Sequence, residues 1–248
     1  MIFKSRQQNT SGRTIAVITA RMGSKRLPGK NLKAIGGKPL IAWTFECVCA
    51  CRDLFYDIVL STDDPEIIEL ADKYNISAPF IRPPELSSDD ASSVAVLQHA
   101  TNFVETRDKI VIDWILTLQP TSPLRRPCDI KNSIQLIETL TCDSLTSITE
   151  SKNHPYLTKK IDPDGYLTPF ISQSDQSIRR QDLSPASFSR NGAIYLTKRN
   201  ILMGSNSMYG EKTVPYYMPI ERSVDIDDKF DFFIAEQLML CGKAFEAL

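Results

Sequence analysis

Histidine is nearly absent from this chain: His99 and His154 are the only two in 248 residues. A histidine-based metal centre or a Ser-His-Asp hydrolase therefore lacks its material. An excess of one charge is missing too, the formal net charge being -1; a general nucleic-acid binder normally carries a basic surplus, so no nucleic-acid partner is expected. No apolar run approaches the roughly 18 residues of a membrane span, which removes a membrane partner. Residues 1–13, MIFKSRQQNTSGR, lack the apolar centre of a signal peptide and read as a polar tail. Six cysteines in a chain this long, with no export signal, do not suggest a disulfide framework. Cys47, Cys49 and Cys51 alternate along an expected helix, a spacing unsuited to zinc, and read as ordinary thiols. Two familiar phosphate loops are also lacking. There is neither a Walker loop nor a three-glycine dinucleotide fingerprint with its acidic residue further on.

What is present is a chain with 42% hydrophobic and 24% charged residues, long enough for one α/β domain with a substantial core and a small appendage. Its organising stretch is TIAVITARMGSKRLPGKN, residues 14–31. Ile15 to Ile18 form the apolar run of a strand covered on both faces. The following loop carries Arg21, Lys25, Arg26 and Lys30, with Gly23, Pro28 and Gly29 bending the backbone. Cations and free backbone N-H groups at the carboxyl end of a sheet strand suit a polyphosphate; a solvated basic turn is the plainer alternative.

The order of elements supports a doubly wound, mostly parallel sheet. After a Gly36-Gly37-Lys38-Pro39 turn comes a helix with a wide apolar face from Leu40 to Val48. A strand over Asp57–Leu60 runs into Ser61-Thr62-Asp63-Asp64-Pro65-Glu66, a helix start. The loop Pro79–Asp90 leads to a helix from about Ala91 to Val104, a strand covers Ile112–Leu118, a helix Asp129–Thr139 and a strand Ser144–Thr149. Residues 14–150 and 186–248 are read as the α/β domain. Residues 151–185 read as an excursion without helical period, turning at Asp162-Pro163-Asp164-Gly165; a disordered insertion is the alternative there. Arg190–Leu196 returns as a buried strand. Finally, Ser223-Val224-Asp225-Ile226-Asp227-Asp228 precedes an amphipathic helix. Asp225 and Asp227, at i and i+2, share one side of an extended segment and suit a hard-oxygen site for Mg²⁺; the plainer alternative is simple capping, with Asp227 or Asp228 as the N-cap of that helix.

Five of these stretches, in order between about Ile15 and Glu236, resemble the acylneuraminate cytidylyltransferases. They are ARMGSKRLPGKN, the Arg82-Pro83 dipeptide with the turn before Ser93, LQPTSPLR, RNGAIY, and SVDID. Lys30-Asn31 favours that branch over the related enzymes that activate the eight-carbon sugar Kdo, which have Lys-Pro. The resemblance implies a nucleotide-diphospho-sugar transferase-like fold with residues 151–185 as a hairpin dimerisation arm, in a homodimer whose arm reaches the partner's site. It implies CTP and a nonulosonic acid as substrates, CMP passing to the anomeric 2-hydroxyl and pyrophosphate leaving. It implies that Arg21, Lys25 and Lys30 act on the triphosphate, with Ser24, Asn31, Arg82, Ala91 and Ser93 holding the nucleotide. Gln119, Asn191, Tyr195, Tyr209 and, from the partner, Arg180 would hold the sugar, the rest of the 119–125 loop keeping its neighbours in place. Asp225 and Asp227 would hold Mg²⁺, or Mn²⁺ in its stead. Two departures stand out: Ser189 occupies the place of a family arginine, with Arg190 adjacent, and one residue is inserted between Gln181 and Asn191. Alternatives left open are a Kdo or hexose-phosphate nucleotidyltransferase and an inactive nucleotide-binding relative. The bacterial cytoplasm is the expected location.

Overall fold

The computed structural model describes residues 12–171, 179 and 182–242. Strand β1 (Thr14–Ala20) leads into the cationic loop and a 3-10 turn at Lys30–Leu32. A two-residue hairpin follows, β2 (Ala34–Ile35) against β3 (Lys38–Pro39). Gly36 and Gly37 take φ of 56° and 86° at its tip, values that suit glycine and a primed turn. Helix α1 (Leu40–Cys49) starts with Pro39 at its N-cap. Next come β4 (Asp57–Thr62), α2 (Pro65–Asp72), α3 (Ser93–Asp108), β5 (Trp114–Leu118), α4 (Pro127–Thr139) and β6 (Ser144–Glu150). The start of α2 is built as its sequence suggests, Asp64 accepting from the Glu66 N-H at 3.0 Å with Pro65 at the first helical position.

The excursion contains an antiparallel pair, β7 (Lys159–Ile161) and β8 (Leu167–Pro169), closed by a turn in which the Gly165 N-H donates to the Asp162 carbonyl at 3.0 Å. The chain re-enters the main sheet as β9 (Phe188–Lys198), longer than the apolar run alone indicates. It continues through α5 (Arg199–Gly204), β10 (Thr213–Tyr217) and α6 (Lys229–Cys241). The sequence pattern had not marked α5 and β10.

Six strands form one sheet in the order β10-β6-β9-β5-β1-β4. The pairs β1·β4, β1·β5 and β6·β10 are parallel, while β9 runs antiparallel to both β5 and β6. Alternation along β1 divides the core. Ala16, Ile18 and Ala20 pack with Phe45, Val48, Leu116, Ile130 and Ile134 on one face. Ile15 and Val17 pack with Leu97, Ala100, Val104 and Leu202 on the other. Each fully buried aliphatic side chain contributes about 1.5–3 kcal/mol, so both faces must be covered, which is why β1 reads as a continuous apolar run. A third, smaller cluster joins Leu27 of the cationic loop to Leu40, Ile226, Phe232 and Ala235.

The register of β9 on β6 shifts between Thr146 and Ile148: Thr146 faces Tyr195 and Ile148 faces Arg190, so the four residues 191–194 stand opposite Ser147 alone. Ser147 closes this bulge. Its hydroxyl donates to Asn191 Oδ1 at 2.6 Å and accepts from the Ile194 N-H at 2.8 Å. Bulges of this kind re-aim side chains beside sites.

Candidate active site

The carboxyl ends of β1, β4 and β5 and the start of β9 lie on one edge of the sheet, where open α/β sheets bind ligands. The loop after β1 is shaped from inside and outside. Leu27 is buried, Gly29 has a φ of 65°, and Asn31 Nδ2 donates to the Arg21 carbonyl at 3.1 Å. The Met22 N-H donates to Asp63 Oδ1 at 2.8 Å, tying the loop to the end of β4. Ser24 is half-buried and Lys25 exposed within it.

Beside this loop, Arg82 is 5% exposed. Its Nε donates to Ser61 Oγ at 3.0 Å and its Nη2 to the Ser61 carbonyl, while its backbone N-H donates to the Thr62 carbonyl at 2.8 Å. Burial pulls its pKa down to about 10, partly offset by Asp63 and reinforced by Arg21. Asp89 pairs with two of the four loop cations, Arg21 Nη1 at 2.5 Å and Lys25 Nζ, and those two bonds hold its carboxyl below the usual range. Ala91 is half-buried in the following turn, and Ser93 is exposed as the first residue of α3, with Ser92 the N-cap. Asp89 had not been singled out from the sequence; an acid followed by Asp90 in a capping turn gives no sign of its distant partners.

The C-terminal carboxylates arrive from the far side. The Ile226 N-H donates to the Thr121 carbonyl at 2.8 Å, fixing Asp225-Ile226-Asp227 to the loop after β5, and Ile226 is fully buried. Lys30 Nζ donates to the Ile226 carbonyl at 2.6 Å and lies 3.7 Å from Asp227 Oδ1, while Arg26 Nη1 lies 3.7 Å from Asp227 Oδ2. Asp225 sits against β9, where a Cβ on Gly192, whose φ is 74°, would meet Asp225 Oδ2 at 2.6 Å. Burial pushes the Asp225 carboxyl up; the Thr121 hydroxyl and Lys30 pull it back, and Asp227 and Asp231 add to the rise. Its Oδ1 is buried without a hydrogen-bond partner among the described residues. An orphaned carboxylate oxygen is costly unless something cationic takes it, and with Asp227 it makes a hard-oxygen pair suited to Mg²⁺. No cluster of three His, Cys, Asp or Glu that could hold a metal occurs among the described residues, a requirement Mg²⁺ does not impose. The N-cap of α6 is Asp228, accepting from Phe230 and Asp231, so capping does not occupy Asp225 or Asp227.

On the β9 side, Tyr195 and Tyr209 meet edge to face, with centroids 6.4 Å apart. Burial pushes the Tyr195 hydroxyl up to about 12, with Tyr209 adding and Arg190 opposing. Arg190 donates to the Tyr209 hydroxyl and lies 5.2 Å from that ring's centroid. Ser189 donates to Ser151 Oγ at 3.1 Å, while the adjacent Arg190 reaches Tyr209. Asn191 is 2% exposed. Its amide is engaged below the surface, accepting from Ser147 and donating to Ser223 Oγ at 2.8 Å. Gln119 is half-buried at the head of its loop. Arg180 lies outside the described residues.

The family model described as cytidylyltransferase matches residues 15–239. The CMP-N,N'-diacetyllegionaminic acid synthase of Legionella pneumophila is 34% identical over 92% of this chain and 96% of its own. The N-acylneuraminate cytidylyltransferase of Streptococcus agalactiae is 34% identical over 88% of this chain but 51% of its own, so the chain spans about half the length of that relative. The pseudaminic acid cytidylyltransferase of Campylobacter jejuni is 31% identical over 91% of this chain and 96% of its own. Among solved structures, a CMP:2-keto-3-deoxy-manno-octonic acid synthetase complexed with CTP superposes with a TM-score of 0.64 at 20% identity, covering 92% of this chain and 98% of that one, a likeness of fold. With the match running from the head of β1 into α6, the chain belongs to the cytidylyltransferase family, and N-acylneuraminate cytidylyltransferases are among its relatives.

Proposed function

We propose that this chain transfers CMP from CTP to the anomeric 2-hydroxyl of a nine-carbon acylamino sugar acid, of the sialic, legionaminic or pseudaminic type, and releases pyrophosphate. The observation that carries the reading is the meeting of the cationic loop with the carboxylate segment at Lys30, which bonds the Ile226 carbonyl and faces Asp227. Relatives named for three such acids at 31–34% identity support the substrate class.

The roles follow from charge and position. In-line attack on a triphosphate is opposed by its negative charge, so catalysis is mainly alignment and neutralisation. Arg21, Lys25 and Lys30 would neutralise the phosphates, and Asn31 and Arg82 would frame the nucleoside end. Asp225 and Asp227 would hold Mg²⁺, or Mn²⁺, which when bound would neutralise phosphate oxygens and ease loss of the hydroxyl proton. Gln119, Tyr195, Tyr209 and Arg190 would face the sugar. Asn191 would support them from beneath, its amide being taken by Ser147 and Ser223. The hairpin β7·β8, with Ile161, Tyr166, Leu167 and Phe170 exposed, would serve as a dimerisation arm, and Arg180 would act from the partner. Sedimentation of the purified protein tests the dimer.

The decisive assay is pyrophosphate release from CTP and Mg²⁺ with a panel of sialic, legionaminic and pseudaminic acids and Kdo. Release with at least one nine-carbon acid is expected. Faster turnover of Kdo would transfer the chain to the Kdo-activating reading, and no release with any acid would leave an inactive relative. No described helix is long and apolar enough to cross a membrane; we infer a cytoplasmic enzyme, which fractionation checks.

A further inference from the structure

Arg125 closes the loop after β5 and is 4% exposed, although it touches no open surface of the site. A buried cation is costly to desolvate and persists only where its donors are well used. The partners come from three parts of the chain. Nη1 donates to the Ala193 carbonyl at 2.6 Å and, more weakly, to the Gln119 carbonyl at 3.4 Å, and Nη2 donates to Thr44 Oγ1 at 2.8 Å. Ala193 lies in the β9 bulge that seats Asp225 and precedes Tyr195; Gln119 begins the loop; Thr44 lies in α1, on the core side. These partners are neutral oxygens, and the buried Cys47 thiol, also of α1, bonds the guanidinium as well. Nε finds no hydrogen-bond partner among the described residues. Asp129, the neighbouring carboxylate, is engaged by Arg222 at 2.6 Å, Tyr216 and the Arg126 N-H.

We propose that Arg125 is a positioning residue for the acceptor side of the site: its planar fork locks the head of the 119–125 loop and the β9 bulge to α1 in one arrangement. The inference rests on the proposed reaction. A lysine, a point charge on a flexible stem, cannot span both carbonyls and the Thr44 hydroxyl with the same geometry. The nucleotide end, framed by Arg21, Arg82 and Asp89, is built on β1, β4 and the loop before α3, none of which Arg125 bonds. Loss of the fork should therefore loosen sugar placement more than nucleotide placement, and because the same loop and bulge seat Asp225 the Mg²⁺ requirement should rise as well. General loosening of the fold would not produce that asymmetry.

The test is steady-state pyrophosphate release by Arg125→Lys and Thr44→Val, with both substrates varied. Each variant is first shown to be folded by circular dichroism and melting. Arg125→Lys is expected to raise KM for the sugar acid at least about tenfold and to lower kcat by roughly 10–100-fold, since misplacement by about an ångström carries such costs. With Mg²⁺ saturating, KM for CTP should rise clearly less than KM for the sugar acid. Thr44→Val, which removes one support and touches nothing in the site, should raise KM for the sugar acid about two- to fivefold with the same asymmetry. Unchanged sugar KM in the folded variants, or equal rises for both substrates, would overturn the positioning role. If Arg125→Lys does not fold, Thr44→Val decides alone by the same criterion. A wild-type protein inert with every acid would instead sink the proposed reaction, and the positioning role with it.

Discussion

Lys30 Nζ lies 2.6 Å from the carbonyl oxygen of Ile226 and 3.7 Å from the carboxylate of Asp227, a pair 197 positions apart. The ammonium is thereby held against the carboxylate segment, and its side chain is 13% exposed. Lys30→Met should fold and raise KM for CTP by roughly 10–100-fold, with kcat falling as well. Asp227→Ala, at the exposed end of the same pair, should lower turnover by more than about a hundredfold at any Mg²⁺ concentration. Pyrophosphate release measured across a Mg²⁺ titration checks both, and substantial activity in Asp227→Ala would remove the metal role.

Gly192 permits the close approach of β9 to Asp225. An alanine there would take an unfavourable positive φ and press on Asp225 Oδ2. The expected cost is about 1–3 kcal/mol of stability, with the Mg²⁺ needed for half-maximal activity rising roughly 10–100-fold. Thermal melting and a metal titration of Gly192→Ala separate the two effects; an unchanged metal requirement would show that Asp225 is not held by this contact.

Asp89 occupies two of the cations assigned to the triphosphate. Because a bound nucleotide must compete with it, Asp89→Asn should lower KM for CTP by roughly three- to tenfold at low ionic strength, an advantage that salt erases. A higher KM in the variant would mean that Asp89 orients Arg21 and Lys25 for the nucleotide rather than competing with it.

Away from the site, Glu105 joins α3 to α5, accepting from Arg199 Nε at 2.6 Å, Arg199 Nη2 at 2.9 Å and the Ile112 N-H at 2.9 Å. Burial alone would raise its carboxyl, but the Arg199 and Ile112 bonds outweigh this and hold it below the ordinary value. A depressed carboxyl stabilises the fold fully above its unfolded pKa of about 4.3, and that contribution is lost as pH falls through the lower folded value. Glu105→Gln should cost about 1–2 kcal/mol at pH 7, discounted for the partly open Arg199. The difference from wild type should shrink below about pH 4. Urea unfolding at the two pH values measures this; a constant difference would remove the ionic contribution.

How much of this could be read beforehand differs from residue to residue. β1, β4 and β5 were legible because they are covered on both faces and must be apolar throughout. The start of α2 was legible because Asp64 and Pro65 write a cap in local chemistry. The loop cations and the Asp225–Asp227 pair were legible as side-chain types at tight spacing. The β9 bulge was not, because register is a property of two strands and leaves no mark in either alone. Asp89 and Arg125 were not resolved for a related reason: their partners lie 64–68 and up to 81 positions away, and a charged residue in a loop has the same sequence appearance whether solvated or bonded. β10 was missed because its alternation is short and interrupted by proline.

That proline constrains how the molecule can meet its neighbours. β10 ends the sheet, with Pro215 at its midpoint facing Thr146 of β6, and proline offers no N-H to a further strand. A newcomer laid along this margin would find its hydrogen-bond ladder broken at the centre. Self-association is thereby steered away from continuous sheet growth, the usual route to fibrils, and towards contacts made by side chains.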